Sequence, residues 1–89
     1  MRTIKDFGVG QGRVIHRMQG GGTRAISSQS NVFASVCEFD PNNGVRFHGD
    51  ASLVVCGIAP GPGLVDVWVQ INWDEDLSYE LTILIADDV

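Results

Sequence analysis

Residues 64–86 decide the fold class. They read Leu64-Val65-Asp66-Val67-Trp68-Val69-Gln70-Ile71-Asn72-Trp73, then Asp74-Glu75-Asp76-Leu77-Ser78, then Tyr79-Glu80-Leu81-Thr82-Ile83-Leu84-Ile85-Ala86. Val65, Val67, Val69, Ile71 and Trp73 fall on one phase, and Asp66, Trp68, Gln70 and Asn72 on the other. Tyr79, Leu81, Ile83 and Ile85 oppose Ser78, Glu80, Thr82, Leu84 and Ala86 in the same way. Strict period-two alternation of this length specifies half-buried β-strands. The pattern predicts a long β-hairpin with an acidic turn. A slip of one residue would turn the whole apolar phase of a strand toward water, so the phase is fixed.

Outward from that stretch, residues 31–39 are apolar on both phases, as expected of a central strand. Pro41-Asn42-Asn43-Gly44 is a turn signal, and Asn-Gly suits a type I′ hairpin. Residues 45–58 read as the return strand, interrupted near Gly49-Asp50 by a bulge or bend. Pro60-Gly61-Pro62-Gly63 then breaks the chain. Toward the N-terminus, residues 13–18 alternate, with Val14, His16 and Met18 facing one way. A short strand is expected over residues 3–7. Residues 23–30 favour a strand or irregular edge, with a short helix as the alternative, because Ser and Asn suit helix interiors poorly.

These elements predict one all-β domain over residues 1–89. The expected form is a small antiparallel β-sandwich or open barrel of about five to seven strands, consecutive strands pairing as hairpins. The expected core is Val32, Phe33, Val36, Phe39, Val45, Phe47, Leu53, Val55, Val67, Val69, Ile71, Leu81, Ile83 and Ile85.

The apolar fraction of 44% is that of a globular chain rather than a disordered one. No apolar run approaches the roughly 18 residues of a membrane span. The N-terminal residues lack the apolar core of a secretory signal, so a cytoplasmic location is expected. The net charge of −5 argues against nucleic acid as a partner. That charge is unevenly spread: residues 1–30 hold five Arg and Lys against Asp6, whereas residues 31–89 hold Arg46 against ten acids. The basic third is expected to pack beside the acidic hairpin, in the same chain or in a neighbouring one. Cys37 and Cys56 are too few for a disulfide framework and are expected as buried free thiols.

No motif for a cofactor emerges. Gly8-x-Gly10-x-Gly12 lacks the third spacing of a dinucleotide loop and reads as a turn or a close backbone approach. His16, Cys37, His48 and Asp50 have the residue types of a nucleophile–base set or a metal site, but no spacing selects either. Asp74-Glu75-Asp76 offers hard oxygens without the spacing of a calcium loop. Trp68 is the sharpest residue, an indole on the polar phase beside Asp66, Gln70 and Asn72. Such a group suits a second apolar layer or a subunit contact, or a sugar stacked on the ring and hydrogen-bonded beside it.

The expected function is therefore a small non-enzymatic binding or self-assembly module, forming a homodimer through a strand edge or the Trp68 face. The first alternative is a carbohydrate or small-ligand binder using Trp68, Asp66, Gln70 and Asn72. The second is a small barrel enzyme with His16, His48 and Asp50 in its interior.

Overall fold

The computed structural model describes residues 2–19, 23, 26–46, 49 and 51–86. Seven strands lie among them: β1 (Arg2–Gly10), β2 (Gly12–Gln19), β3 (Val32–Asp40), β4 (Val45–Arg46), β5 (Ser52–Gly61), β6 (Leu64–Asn72) and β7 (Leu77–Ile85). They form two antiparallel sheets, ordered β1-β7-β3-β4 and β2-β6-β5, in a sandwich-like arrangement. No α-helix occurs among the described residues.

The expected hairpin over residues 64–86 is not a hairpin. β6 is the centre of one sheet, between β2 and β5, and β7 lies between β1 and β3 in the other. Residues 73–76 form an arch that carries the chain from one sheet to the other. The physical reason lies in the two apolar stripes. Had β6 and β7 been hydrogen-bonded neighbours, both stripes would line one face of one sheet and need a further layer to cover them. Across an arch they cover each other. Val65, Val67, Val69, Ile71, Tyr79, Leu81, Ile83 and Ile85 are all 2% exposed or less.

The flanking strands complete the interior with Ile4, Val14, Met18, Val32, Ala34, Val36, Leu53, Val55 and Ile58. Three expected core residues lie elsewhere. Phe33 and Val45 are 60% and 52% exposed, and Phe39 is on the outer face of its sheet, its ring 4.7 Å from that of Phe7. Both phases of β3 are apolar, and the smaller one turns inward: Val32, Ala34 and Val36 stand beside the larger Ile85, Ile83 and Leu81 of β7. Close packing favours such alternation of small and large. Phe47 is outside the described residues.

Two connections are true hairpins. Between β3 and β4 the turn has four residues, with Asp40 C=O accepting from Gly44 N–H at 2.8 Å. Asp40 Oδ1 accepts from Asn42 N–H, and Oδ2 from the Asn43 side-chain amide. Only Gly44 is left-handed there (φ 70°), and no non-glycine residue among those described has a positive φ, so the turn is not type I′. Between β5 and β6, Pro62-Gly63 forms a two-residue turn with Gly61 opposite Leu64. The proline-rich segment therefore reverses the chain inside a ladder, and Pro60 is tolerated because β5 is an edge strand.

No strand forms among the described part of residues 23–30. Buried Thr23 and Ile26 instead clasp the Pro62-Gly63 turn: Thr23 Oγ1 donates to Gly63 C=O, and Gly63 N–H donates to Ile26 C=O. The serines satisfy the backbone locally. Ser30 Oγ accepts from Ser27 N–H, and Ser27 Oγ from Gln29 N–H. Such side-chain bonds compete directly with a sheet ladder.

This inventory of the core has a direct test. Leu81→Ala, at a fully buried site, is expected to lose about 2–5 kcal/mol of stability. Phe33→Ala, on the outer face, is expected to change it by about 0.5 kcal/mol or less. Urea unfolding of both variants measures the difference; equal losses would place Phe33 in the core.

Candidate functional site

Three groups of side chains have chemistry beyond packing. The first is internal. β1 ends at Gly10 on one sheet and β2 begins at Gly12 on the other, so one residue carries the chain across. That switch brings the inward phases of both strands together at the open side of the sandwich. His16 Nε2 lies 2.8 Å from Asp6 Oδ2, and Nδ1 lies 2.9 Å from the Tyr79 hydroxyl. An ionised carboxylate only accepts, so Nε2–H donates to Asp6, and Nδ1 is hydrogen-bonded to the Tyr79 hydroxyl. The three residues come from three strands and tie the two sheets together. Gly8 belongs to the same device, since a Cβ there would run into the Tyr79 phenol. Gly8 thus serves close backbone approach, as the glycine-rich segment was expected to.

The hydrogen bond from His16 holds the Asp6 carboxyl below its ordinary range, while burial, with the nearby Asp6 charge, raises the Tyr79 phenol. Tyr79 is 1% exposed and the His16 side chain 11%, while the Asp6 carboxylate at the outer end of the set is half exposed. His16, one of the residues with the chemistry of a base or metal ligand, is committed to this contact at the margin of the core. His48 and Asp50, its expected partners, lie outside the described residues. Sequence reasoning missed the roles of Asp6 and Tyr79: Tyr79 reads as one more member of an apolar phase, and Asp6 shares its phase with Ile4 while Phe7 and Val9 hold the other.

The second group is the outer face of β2-β6-β5. Trp68, Asp66, Gln70 and Asn72 line up along β6 on this face, as their alternation demands. Trp68 is half-buried, its ring lying over Gly57, with exposed Ile15 on its other flank. No strand among the described residues covers the face as a second layer. Asp66 is already engaged: Arg17 Nε donates to Oδ1 at 2.8 Å and Nη2 to Oδ2 at 3.0 Å. That pair holds the Asp66 carboxyl below its ordinary range. It is also the expected contact between the basic third and the acidic stretch, made within one chain.

The third group is the outer face of β1-β7-β3-β4, which the sequence reading did not single out. Phe7, Val9 and Phe33 are each more than half exposed there. Glu80, in the centre of this apolar face, is only 6% exposed because Lys5 Nζ (3.5 Å) and Arg46 Nε (3.2 Å) close over it from either side. Beside the Phe7–Phe39 pair is a hollow of about 170 Å³, walled by Phe7, Val9, Phe39, Pro41 and Ser78. The signal was present in the sequence as Phe7 and Val9 on one phase of β1 and as apolar residues on both phases of β3.

Among the described residues no group of three His, Cys, Asp or Glu is placed to hold a metal ion. Asp74, Glu75 and Asp76 are exposed at the arch. Cys37 and Cys56 are on different sheets and form no disulfide with each other. Cys56 is exposed, contrary to expectation, because it sits at the register shift between Val55 and Gly57. Comparison with protein-family models, with curated proteins and with solved structures gave no match to this chain.

The Asp6–His16 contact has a pH signature. A carboxyl whose folded pKa is depressed adds stability above its unfolded value, about 3.9, and loses it as pH falls through the folded value. Asp6→Asn is therefore expected to melt below the parent at neutral pH, the gap narrowing as pH falls from about 5. Thermal midpoints across that range test this; a gap independent of pH would remove the carboxylate from the account.

Proposed function

We propose that this chain is a non-enzymatic self-assembly module whose contact surface is the outer face of β1-β7-β3-β4. The observation that carries the reading is the exposure of Phe7, Val9 and Phe33 on one face of one sheet. Phe7 and Val9 lie beside Phe39 at one end of the face and Phe33 at the other, and exposed apolar groups gathered on one face of a small protein mark an interaction site. Glu80 supports the reading, since its charge is already matched by Lys5 and Arg46 and burying the face would leave no lone carboxylate. A contact through strand edges has less support. The β5 edge is blunted by its register shift and by Pro60. A reducing, cytoplasmic setting fits two cysteines that lie on different sheets.

The alternative, a sugar or small ligand on the Trp68 face, rests on the half-buried indole with Gln70 and Asn72 beside it. Asp66 contributes less there, both oxygens being taken by Arg17.

Light scattering coupled to size-exclusion chromatography tests the proposal. The expected mass is a multiple of the 9.6 kDa chain, falling to one chain in Phe7→Glu, which places a charge on the face at an exposed position. A mass of 9.6 kDa at every protein concentration would sink the proposal.

A further inference from the structure

We propose that the arch of one copy docks on a second copy, Trp73 entering the hollow beside Phe7 and Phe39, and Asp74, Glu75 and Asp76 meeting Lys5 and Arg46. The inference rests on the self-assembly reading and names the occupant of its surface. Three observations converge on it.

The first is the arch itself. Turns use small polar residues for their backbone geometry, yet this one begins with a tryptophan that is 41% exposed. Its backbone N–H is held by Ile71 C=O at 3.1 Å, and the three acids that follow are all exposed. Trp73 does not wall the hollow of its own copy. An aromatic ring leading three carboxylates is thus presented to solvent as a unit.

The second is the receiving surface. A dry apolar cavity of about 150 Å³ accepts a benzene ring; the hollow here is about 170 Å³, with two phenylalanines, a valine and a proline in its walls. Next to it, two cations converge on one carboxylate. Phe7 lies opposite Glu80 in the β1–β7 ladder, and Phe39 lies opposite Arg46 in the β3–β4 ladder. The Lys5 and Arg46 side chains remain more than half exposed, each with N–H donors beyond the contact to Glu80. The acids of the arch have no ion pair among the described residues, so a cationic surplus on the face answers an anionic surplus on the arch. Asp40, the other carboxylate near the hollow, is bound into its own turn by Asn42 and Asn43.

The third is placement. The arch runs directly into Leu77, which pairs with Gly10, and the hollow is walled by Ser78 and Val9. Arch and hollow therefore occupy the same end of the sandwich. A two-fold axis beside that end satisfies both contacts at once and closes the assembly as a dimer, leaving no free docking site to propagate a fibre.

The test is the solution mass of four proteins over a concentration series, with far-UV circular dichroism to confirm that each is folded. The parent is expected at twice 9.6 kDa. Trp73→Ala and Val9→Glu, both at exposed positions, are expected to weaken association by at least about tenfold, the effect of losing an aromatic anchor or its seat. Phe33→Glu, at the other end of the same face, is expected to remain a dimer. A parent that is monomeric throughout overturns both this inference and the self-assembly reading. A dimer that survives Trp73→Ala and Val9→Glu but is lost in Phe33→Glu overturns the arch docking alone.

Discussion

The contact on which the molecule depends is that between the inward stripes of β6 and β7. Each strand is central in its sheet, and their eight inward side chains are essentially inaccessible to water. Full burial of a valine, leucine or isoleucine contributes about 1.5–3 kcal/mol. In a domain of 89 residues, where surface is large relative to volume, that contribution is concentrated in two strands. The other strands extend this contact sideways. β1 and β3 bracket β7, and β2 and β5 bracket β6, each adding inward residues of the same phase. The arch at residues 73–76 follows from the same constraint, because only a crossing between sheets lets the two stripes face each other.

This explains which parts of the fold were legible in the sequence. Alternation states which side chains of a strand share a face, and it did so correctly for β2, β6 and β7. It carries no information about which strand is the hydrogen-bonded neighbour, so a hairpin and an arch have the same pattern. The difference lies in whether two stripes can cover each other, a property of the pair and not of either strand. β3 failed differently. With apolar residues on both phases its sequence leaves the choice of face to volume, and Ala34 beside Ile83 fits an interior that Phe33 would overfill. In residues 23–30 the serines announced local hydrogen bonding, and the structure uses it in place of a strand.

The candidate sites were legible in proportion to how far they depend on one strand. Trp68, Asp66, Gln70 and Asn72 share β6, so their common face followed from spacing alone. The partner of Asp66 did not, because Arg17 is opposite it only through the β2–β6 register. Asp6, His16 and Tyr79 come from three strands in two sheets. Their meeting depends on the crossing at Gln11 and on a glycine that lets the phenol pass. The clue available beforehand was an acid, a histidine and a tyrosine each on an inward phase. Such groups require partners when buried, and here they find one another.

Inside and outside are inverted at two places, and the two inversions mean different things. Asp6, His16 and Tyr79 complete one another's hydrogen bonds across the two sheets, His16 and Tyr79 largely closed to solvent and Asp6 half exposed. The apolar groups outside have no such completion. Phe7, Val9 and Phe33 stay more than half exposed in a lone chain, and Lys5 and Arg46 spread two charges over one carboxylate. The uneven charge along the sequence has the same remainder. Part of it is neutralised within the chain, by Arg17 on Asp66 and Lys5 on Glu80, while the acids of the arch are left over. A net charge of −5 opposes indiscriminate association. An exposed apolar face calls for a selective geometry of contact, and in the proposed dimer an aromatic ring with acids on one side and cations on the other would supply that selectivity.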